Sequence, residues 1–161
     1  MRRPAFRRPH HQAIARLLNK LDGDFLLASR CFLGGGTCIS LLGDEFRESR
    51  DIDFLVSDRA GFRALREAVR LDSLGKIAAK PIELAREVRA DRDGIRTFLV
   101  EGVFRIKAEL ILEGRIDLDG AMEPRLGVPV LADGCLAAEK LLANADRGVD
   151  DSTFARDVID L

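Results

Sequence analysis

The chain has 161 residues and a formal net charge of −1, with 47% hydrophobic and 33% charged residues. That length fits one domain, and a nearly neutral chain has no global attraction to nucleic acid, so such a partner would need a local basic patch. No apolar run approaches the roughly 18 residues that a membrane span requires. The three cysteines follow no pattern and the charged start lacks an apolar segment, so we expect a cytoplasmic protein that does not enter a membrane.

The first residues are basic. Residues 1–9 hold four arginines, which we interpret as a solvated, mobile tail, with an arm that contacts RNA phosphate as the alternative. Residues 10–161 are assigned to a single domain. His10 and His11 stand outside any metal-ligand spacing. From residue 10 to residue 27 apolar residues recur at helical spacing, which predicts a helix that continues past Gly23.

The following segments predict alternating strands and helices. Residues 31–33 predict a short buried strand and residues 37–42 a helix, with Gly43 as its C-cap. Residues 51–56 predict a second strand. A helix through residue 70 is expected next, capped by Ser57 or Asp58.

The second half predicts mainly strands followed by terminal helices. Strands are predicted over 73–78, 82–89, 95–100, 103–112 and 128–131, those on either side of residue 102 forming an antiparallel meander. A helix is predicted over 133–145. Another is predicted to begin at Ser152 and is still running at Leu161, which leaves open whether further C-terminal helices are missing from this chain.

A glycine turn and a pair of aspartates carry the chemistry. Gly34, Gly35 and Gly36 would let backbone N–H groups approach a triphosphate, and a helix starting at Thr37 would direct its positive end at the same anion. The aspartates of the segment Asp51-Ile52-Asp53-Phe54 point to one face of a strand, while its apolar residues point to the other. Such a pair suits Mg²⁺, which prefers one or two carboxylates plus substrate phosphates. A turn-and-cap pair at a strand end is the alternative.

The strand over residues 103–112 supports the same site. Its odd-numbered residues Arg105, Lys107 and Glu109 share one face, opposite an apolar face. If this strand lies beside the one that carries Asp51, it would bring a third carboxylate and a cation to the same cleft. A sheet edge with a solvated face is the alternative.

Five segments in the same order resemble one family. The segments GGT at 35–37 and RESRDIDF at 47–54 resemble the GGT…RxSxDIDF signature of AbiEii-type nucleotidyltransferases, a branch of the DNA polymerase β-like superfamily that includes toxin–antitoxin toxins. The segment IKAEL at 106–110 resembles that family's KxD strand, with Glu109 in place of Asp. The segments EKLLA at 139–143 and RDVIDL at 156–161 resemble its EKLxA…RDxxDL ending.

The resemblance implies an α/β fold of the α+β type, the nucleotidyltransferase fold, with a mixed twisted sheet flanked by helices. It implies an enzyme that moves an NMP from an NTP to an acceptor and releases pyrophosphate, with Mg²⁺ or Mn²⁺ as cofactor. It further implies a toxin of a toxin–antitoxin or phage-defence system, with RNA such as tRNA as acceptor and a cognate antitoxin as partner. The residues themselves do not identify that acceptor.

The resemblance also assigns roles to residues. The catalytic set is Asp51, Asp53, Glu109 and Lys107, and its three carboxylates are the expected metal ligands. The expected nucleotide-binding residues are Gly35, Gly36, Thr37, Arg47, Ser49, Lys140 and Asp157. For Lys140 the alternative is a boundary lysine whose stem covers apolar surface. Arg47 could equally pair with Asp44 or Glu48 on the surface.

Two other functions stay open. A nucleotidyltransferase that modifies a small molecule, of the antibiotic-modifying type, would share the metal site and differ in its acceptor cleft. A catalytically degenerate NTP-binding protein is suggested by Glu109 in place of Asp. Other glycine-dependent sites are excluded, because Ile39 stands where a dinucleotide fingerprint needs its third glycine and no Gly-Lys-Ser/Thr follows for a P-loop.

Overall fold

A computed structural model describes residues 6–147, which form one mixed β-sheet and flanking helices. The strands are β1 (Cys31–Gly34), β2 (Ile52–Val56), β3 (Glu83–Ala90), β4 (Gly94–Glu101), β5 (Phe104–Leu112), β6 (Gly120–Glu123) and β7 (Val128–Leu131). The helices are α1 (Pro9–Leu18), α2 (Gly23–Ala28), α3 (Gly35–Leu42), α4 (Arg59–Ala68) and α5 (Asp133–Arg147), with a short 3₁₀ helix at Gly75–Ile77.

The sheet has the strand order β3-β4-β5-β2-β1-β7-β6. The pairs β2–β5 and β1–β7 are parallel, and the remaining neighbours are antiparallel. The predicted mixed sheet flanked by helices is confirmed, as is the meander, which is β3-β4-β5. β5 lies between β4 and β2, so the alternative of a sheet edge is wrong for this strand.

The core lies on one face of the sheet, and period-2 alternation places it there. In β5 the side chains of Ile106, Ala108 and Leu110 are buried, while Arg105 and Lys107 between them are exposed. α1 contacts β4 and β5, α2 contacts β1 and β7, and α4 contacts β2. The opposite face of β2 and β5 is therefore left for polar residues and for α5.

Two predicted elements are wrong in detail. The helix expected over 10–27 is two helices, α1 and α2, because Asp22 caps a new helix by accepting a hydrogen bond from the Phe25 N–H at 2.9 Å. The strand expected over 73–78 is the 3₁₀ helix, since Gly75 has φ +54° and a Cβ there would lie 1.9 Å from the Ala68 carbonyl oxygen. An extended strand cannot accommodate that conformation.

One strand was missed, and the terminal segments differ from expectation in part. β6 contains Gly120 and Ala121, residues of low β-propensity, and pairs only with β7 at the sheet edge.

Within the basic stretch 1–9, residues 6–9 are described, and Phe6 is buried. Residues 1–5 and the predicted helix from Ser152 lie outside the described residues. Across residues 6–147 no helix has the length and apolarity needed to cross a bilayer.

Candidate active site

The glycine turn connects β1 directly to α3. Gly35 has φ +69°, and a Cβ at that position would lie 3.0 Å from Asp53 Oδ2, so glycine lets the backbone pass close to this carboxylate. The helix that begins here has no side-chain cap. Its first N–H groups are therefore left for another acceptor, and an anion is the acceptor that a helix N-terminus favours.

Strand register brings the two later carboxylates together. Asp53 on β2 pairs with Glu109 on the parallel strand β5, and on its other side Asp53 pairs with Gly34 of β1. Neighbouring strands lie about 4.8 Å apart, so Asp53 and Glu109 project from adjacent positions on the same face. Asp51 directly precedes β2 and is exposed. The expectation that β5 lies beside the Asp51 strand is thus confirmed by the topology.

The predicted residues surround one cavity of about 350 Å³ between this sheet face, the glycine turn and α5. The predicted residues that line it are Gly35, Gly36, Arg47, Ser49, Asp51, Asp53, Lys107, Glu109 and Lys140. Of the other two, Thr37 is buried beneath the cavity and Asp157 lies outside the described residues. A larger groove of about 680 Å³ beside α4 is lined by Phe25 and Arg70 among others and holds no cluster of carboxylates.

The carboxylates interact strongly with one another. Burial, followed by the charges of Asp51 and Glu109, raises the pKa of Asp53 to about 6, against the opposing charges of Lys107 and Lys140. The pKa of Lys107 is raised mainly by its hydrogen bond to Glu109. Like charges held close together in this way are typical of sites that bind a cation.

Glu109 has two cationic partners, of which sequence reasoning identified one. Lys107 contacts its Oε1, and Arg96 Nε lies 3.4 Å from its Oε2. Arg96 is the cross-strand neighbour of Glu109 on β4. It was missed because nothing in the sequence states the register of two strands, although the meander predicted that some residue of β4 would lie there.

The donor set fits Mg²⁺ or Mn²⁺ in its chemistry. Asp51 and Asp53 supply hard carboxylate oxygens, with Glu109 a third carboxylate one strand away, and a cation would relieve the repulsion that raises the pKa of Asp53. Within residues 6–147, however, no three Asp, Glu, His or Cys side chains already stand in position to hold a metal ion. Since Glu109 is engaged by Lys107 and Arg96, its role as a ligand stays a prediction.

Lys140 reaches the cavity from α5. It is 8% exposed, one helical turn after Leu136, which also lines the cavity. Its charge lowers the pKa of Asp53, so the ammonium group is electrostatically coupled to the carboxylates. This placement is compatible both with a phosphate ligand and with the alternative of a boundary lysine.

The loop between α3 and β2 carries Ser49 and Asp51 and is fixed by side-chain hydroxyls. Thr37 Oγ1 lies 2.7 Å from Ser49 Oγ and donates to the Asp51 carbonyl oxygen. Ser40 Oγ donates to the Arg47 carbonyl oxygen. Thr37 therefore holds the loop in this structure, whereas Ser49 and Arg47 line the cavity. On the surface side, Arg50 pairs with Glu48 at 3.0 Å.

A buried histidine supports the same loop and was not recognised in the sequence. His11 is fully buried on α1, and its Nε2 accepts a hydrogen bond from the Ser49 N–H at 2.9 Å. Its Nδ1 therefore carries the proton and donates to Glu45 Oε1, also at 2.9 Å. Its burial could have been inferred from the sequence, because His11 stands three residues before Ile14 and therefore lies on the apolar face of the helix.

Glu45 links His11 to the N-terminal segment of the chain. Its carboxylate also accepts the backbone N–H groups of Arg7 and Arg8, at 2.6 and 3.0 Å. Burial alone would raise the pKa of Glu45, but these two N–H groups and His11 lower it to about 2. Part of the basic stretch expected to be mobile is thus bound to the loop that carries Ser49 and Asp51.

Two solved structures resemble this chain at low identity. One, of a candidate nucleotidyltransferase from H. pylori, has 17% identity and a TM-score of 0.45, covering 81% of this chain and 56% of its own. The other, of a candidate nucleotidyltransferase from Thermotoga maritima, has 16% identity and a TM-score of 0.44, covering 87% of this chain and 89% of its own. This chain thus spans little more than half the length of the H. pylori protein.

A family comparison covers nearly the whole sequence. No curated protein sequence matches the chain. The model of the family described as "Nucleotidyl transferase AbiEii toxin, Type IV TA system" matches residues 16–161, which include every predicted site residue. The chain therefore belongs to the AbiEii nucleotidyl transferase toxin family of type IV toxin–antitoxin systems.

Proposed function

We propose that the chain catalyses metal-dependent transfer of a nucleoside monophosphate from an NTP to a hydroxyl acceptor. The observation that carries this proposal is the register of Asp53 with Glu109 across parallel strands, directly against the backbone at Gly35. This arrangement puts clustered negative charge beside an uncapped helix N-terminus. A metal–triphosphate complex is complementary to both, because its cation suits the carboxylates and its anion suits the N–H groups.

Each residue has a proposed task. Gly35, Gly36 and Lys140 bind the triphosphate, and Asp51 and Asp53 hold Mg²⁺ or Mn²⁺. When bound, the metal neutralises phosphate charge and stabilises the leaving pyrophosphate. A bond forms from the acceptor oxygen to the α-phosphorus as the bond to the β-phosphate oxygen breaks, and the hydroxyl proton passes to Glu109. Lys107 contacts the Glu109 carboxylate and positions it to accept that proton.

The biological setting proposed is that of the family. The chain acts as a toxin of a type IV toxin–antitoxin or phage-defence system in the cytoplasm, with RNA such as tRNA as acceptor and an antitoxin as partner. Family membership supports the toxin assignment. The acceptor proposal is supported by the basic side chains that adjoin the cavity, which suit a polyanion better than a cationic antibiotic.

A transfer assay tests this function. Each of the four NTPs, labelled on the α-phosphate, is incubated with total RNA and Mg²⁺, and both pyrophosphate release and labelled RNA are measured. We expect one NTP to label RNA in a metal-dependent manner. Pyrophosphate release with an aminoglycoside and none with RNA would favour the small-molecule enzyme. Nucleotide binding without any turnover would favour the degenerate NTP-binding protein.

A further inference from the structure

The face of the sheet that carries the carboxylates continues beyond the cavity onto β4 and β3. In β4 the side chains of Ile95, Thr97 and Leu99 are buried, while Arg96 and Phe98 between them are partly exposed. No helix within residues 6–147 makes more than marginal contact with β3. The basic and aromatic side chains of this open face are Arg86, Arg89, Arg96, Phe98, Arg105 and Lys107, and its carboxylates are Glu83 and Glu109.

Strand register arranges this open face in rows that lead to the carboxylates. One row runs from Arg89 through Arg96 and Glu109 to Asp53, which are paired in that order across β3, β4, β5 and β2. The next row runs from Arg86 through Phe98 to Lys107. Three interstrand spacings separate β3 from β2, so the first row is about 14 Å long, and the second row, with two spacings, is about 10 Å long. A bound strand of polymer could therefore extend from the sheet edge to the reactive carboxylates.

The charges on the open face are unbalanced. Arg86 lies over the Phe98 ring, 4.8 Å from its centroid, and Arg96 is shared between Asp91 and Glu109. Neither Arg89 nor Arg105 forms an ion pair with any residue in the described range 6–147. The open face of a chain of net charge −1 thus holds five cations and one aromatic ring against two carboxylates.

Protection of the sheet edge does not explain this pattern. Charged residues on an edge strand discourage pairing with another chain, which would account for Arg86 and Arg89 on β3. Arg96 and Arg105 lie on the inner strands β4 and β5, where no edge needs protection. A solvated face would also not favour a partly exposed Phe98 beneath an arginine.

We propose that the open face binds the acceptor as a single strand of nucleic acid. Arg89 and Arg105 contact its phosphates, and one base stacks on the Phe98 ring beside Arg86. An aromatic ring flanked by arginines on an exposed sheet suits a single strand, because a base stacks on the ring while the guanidinium groups meet the phosphates. The inference rests on the proposed function, since it assigns a surface to the acceptor of that transfer.

The test compares two pairs of arginines. Arg89→Gln with Arg105→Gln removes two charges from the open face, and Arg59→Gln with Arg63→Gln removes two exposed charges from α4 as a matched control. Binding of a labelled single-stranded RNA of about twelve nucleotides is measured by fluorescence anisotropy over a range of salt concentrations. We expect the open-face pair to weaken binding about tenfold at low salt and to reduce the salt slope by about 1.4, while the control pair matches the parent.

Two further measurements separate the possible failures. Phe98→Leu should weaken RNA binding about fivefold with little change in salt slope, because stacking is lost and charge is retained. Thermal stabilisation by NTP with Mg²⁺ is recorded for every variant and should equal that of the parent. If it is absent from all proteins, including the parent, the proposed function fails. Two results would show, with nucleotide stabilisation present, that the open face is not a nucleic-acid surface. One is RNA binding by the open-face pair that equals binding by the control pair. The other is competition by polyglutamate of equal charge that is as strong as competition by RNA.

Discussion

Asp53 and Glu109 lie on neighbouring strands, whereas Ser49 and Asp51 lie on the loop between α3 and β2, and the two regions are held differently. Backbone pairing fixes the strand residues, with the apolar alternation of β2 and β5 deciding which face they occupy. Polar contacts to His11, Thr37 and Ser40 fix the loop. Substitutions in the strand region should therefore alter chemistry without altering the fold, and substitutions around the loop should alter both.

The largest expected effect is on the strand side. Asp53→Asn should lower nucleotidyl transfer more than a hundredfold, because loss of a metal-held charge commonly costs several kcal/mol of barrier and each 1.36 kcal/mol is a factor of ten. The metal-free variant should be at least as stable as the parent above pH 6, since the charged form of Asp53 is disfavoured in the fold. Incorporation of labelled NMP measures the transfer rate, and thermal unfolding of the same preparation measures stability. Transfer at the parental rate by Asp53→Asn would refute the metal-site mechanism.

Glu109→Gln should act in the same direction and more weakly, by about tenfold to a hundredfold. Its carboxylate is proposed as the base, and general-base contributions are typically of that order or larger. Lys107 loses its ionic partner and Arg96 loses one of two, so a small loss of stability is expected alongside. The discriminating readout is kcat at saturating NTP, which should fall while the affinity for NTP with Mg²⁺ stays close to that of the parent. A lower affinity with an unchanged kcat would assign Glu109 to nucleotide binding instead of proton transfer.

Lys140→Met separates nucleotide binding from structure. Met retains the apolar stem that α5 buries next to Leu136 and removes the charge, so the melting temperature should barely move while NTP affinity falls about tenfold. Isothermal titration with NTP and Mg²⁺ measures the affinity. Lower stability with normal affinity in the folded protein would assign Lys140 to the alternative, a boundary lysine.

On the loop side, His11→Phe should affect stability and activity together. The Ser49 N–H and the Glu45 carboxylate each lose a buried hydrogen bond, which should cost about 1–3 kcal/mol of unfolding free energy. Transfer should fall several-fold because the loop that carries Ser49 and Asp51 loses one of its anchors, although the Thr37 contacts remain. Ile77→Val, a core change of about 1 kcal/mol that removes no hydrogen bond of the loop, serves as control and should leave kinetics unchanged. Equal kinetics in both variants would show that His11 contributes only to stability.

The last expected effect concerns stability alone and depends on pH. The folded-state pKa of Glu45 is about 2, below the ordinary value of 4.5, so its contribution to stability is present above pH 4.5 and is lost as the pH falls towards 2. Glu45→Gln should therefore be less stable than the parent by roughly 1.5–3 kcal/mol at pH 7, and the difference should vanish near pH 2. Urea unfolding at several pH values measures it. A difference that is constant with pH would mean that the charge of Glu45 is not the stabilising feature.

The same comparison explains what the sequence could predict. Period-2 alternation placed Lys107 and Glu109 on one face, and local patterns also predicted the meander, whereas the mixed sheet followed from the family resemblance. His11 was not recognised because the partners of a buried polar residue are remote in sequence: Ser49 is 38 positions away. β6 and Arg96 were missed for the same reason, since strand pairing and register are tertiary properties that no single segment encodes.

The central claim is that the cavity around Asp53 binds a nucleotide together with a metal ion. Melting temperatures of the parent and of Asp53→Asn, measured with Mg²⁺, with a saturating mixture of NTPs, and with both, test it most directly. A ligand at one hundred times its dissociation constant stabilises a protein by about 2.7 kcal/mol, which corresponds to roughly 5–10 °C at this size. We predict a rise of that order for the parent only when NTP and Mg²⁺ are combined, and little rise for Asp53→Asn. An unchanged parent curve, or an equal rise in both proteins, would contradict the claim.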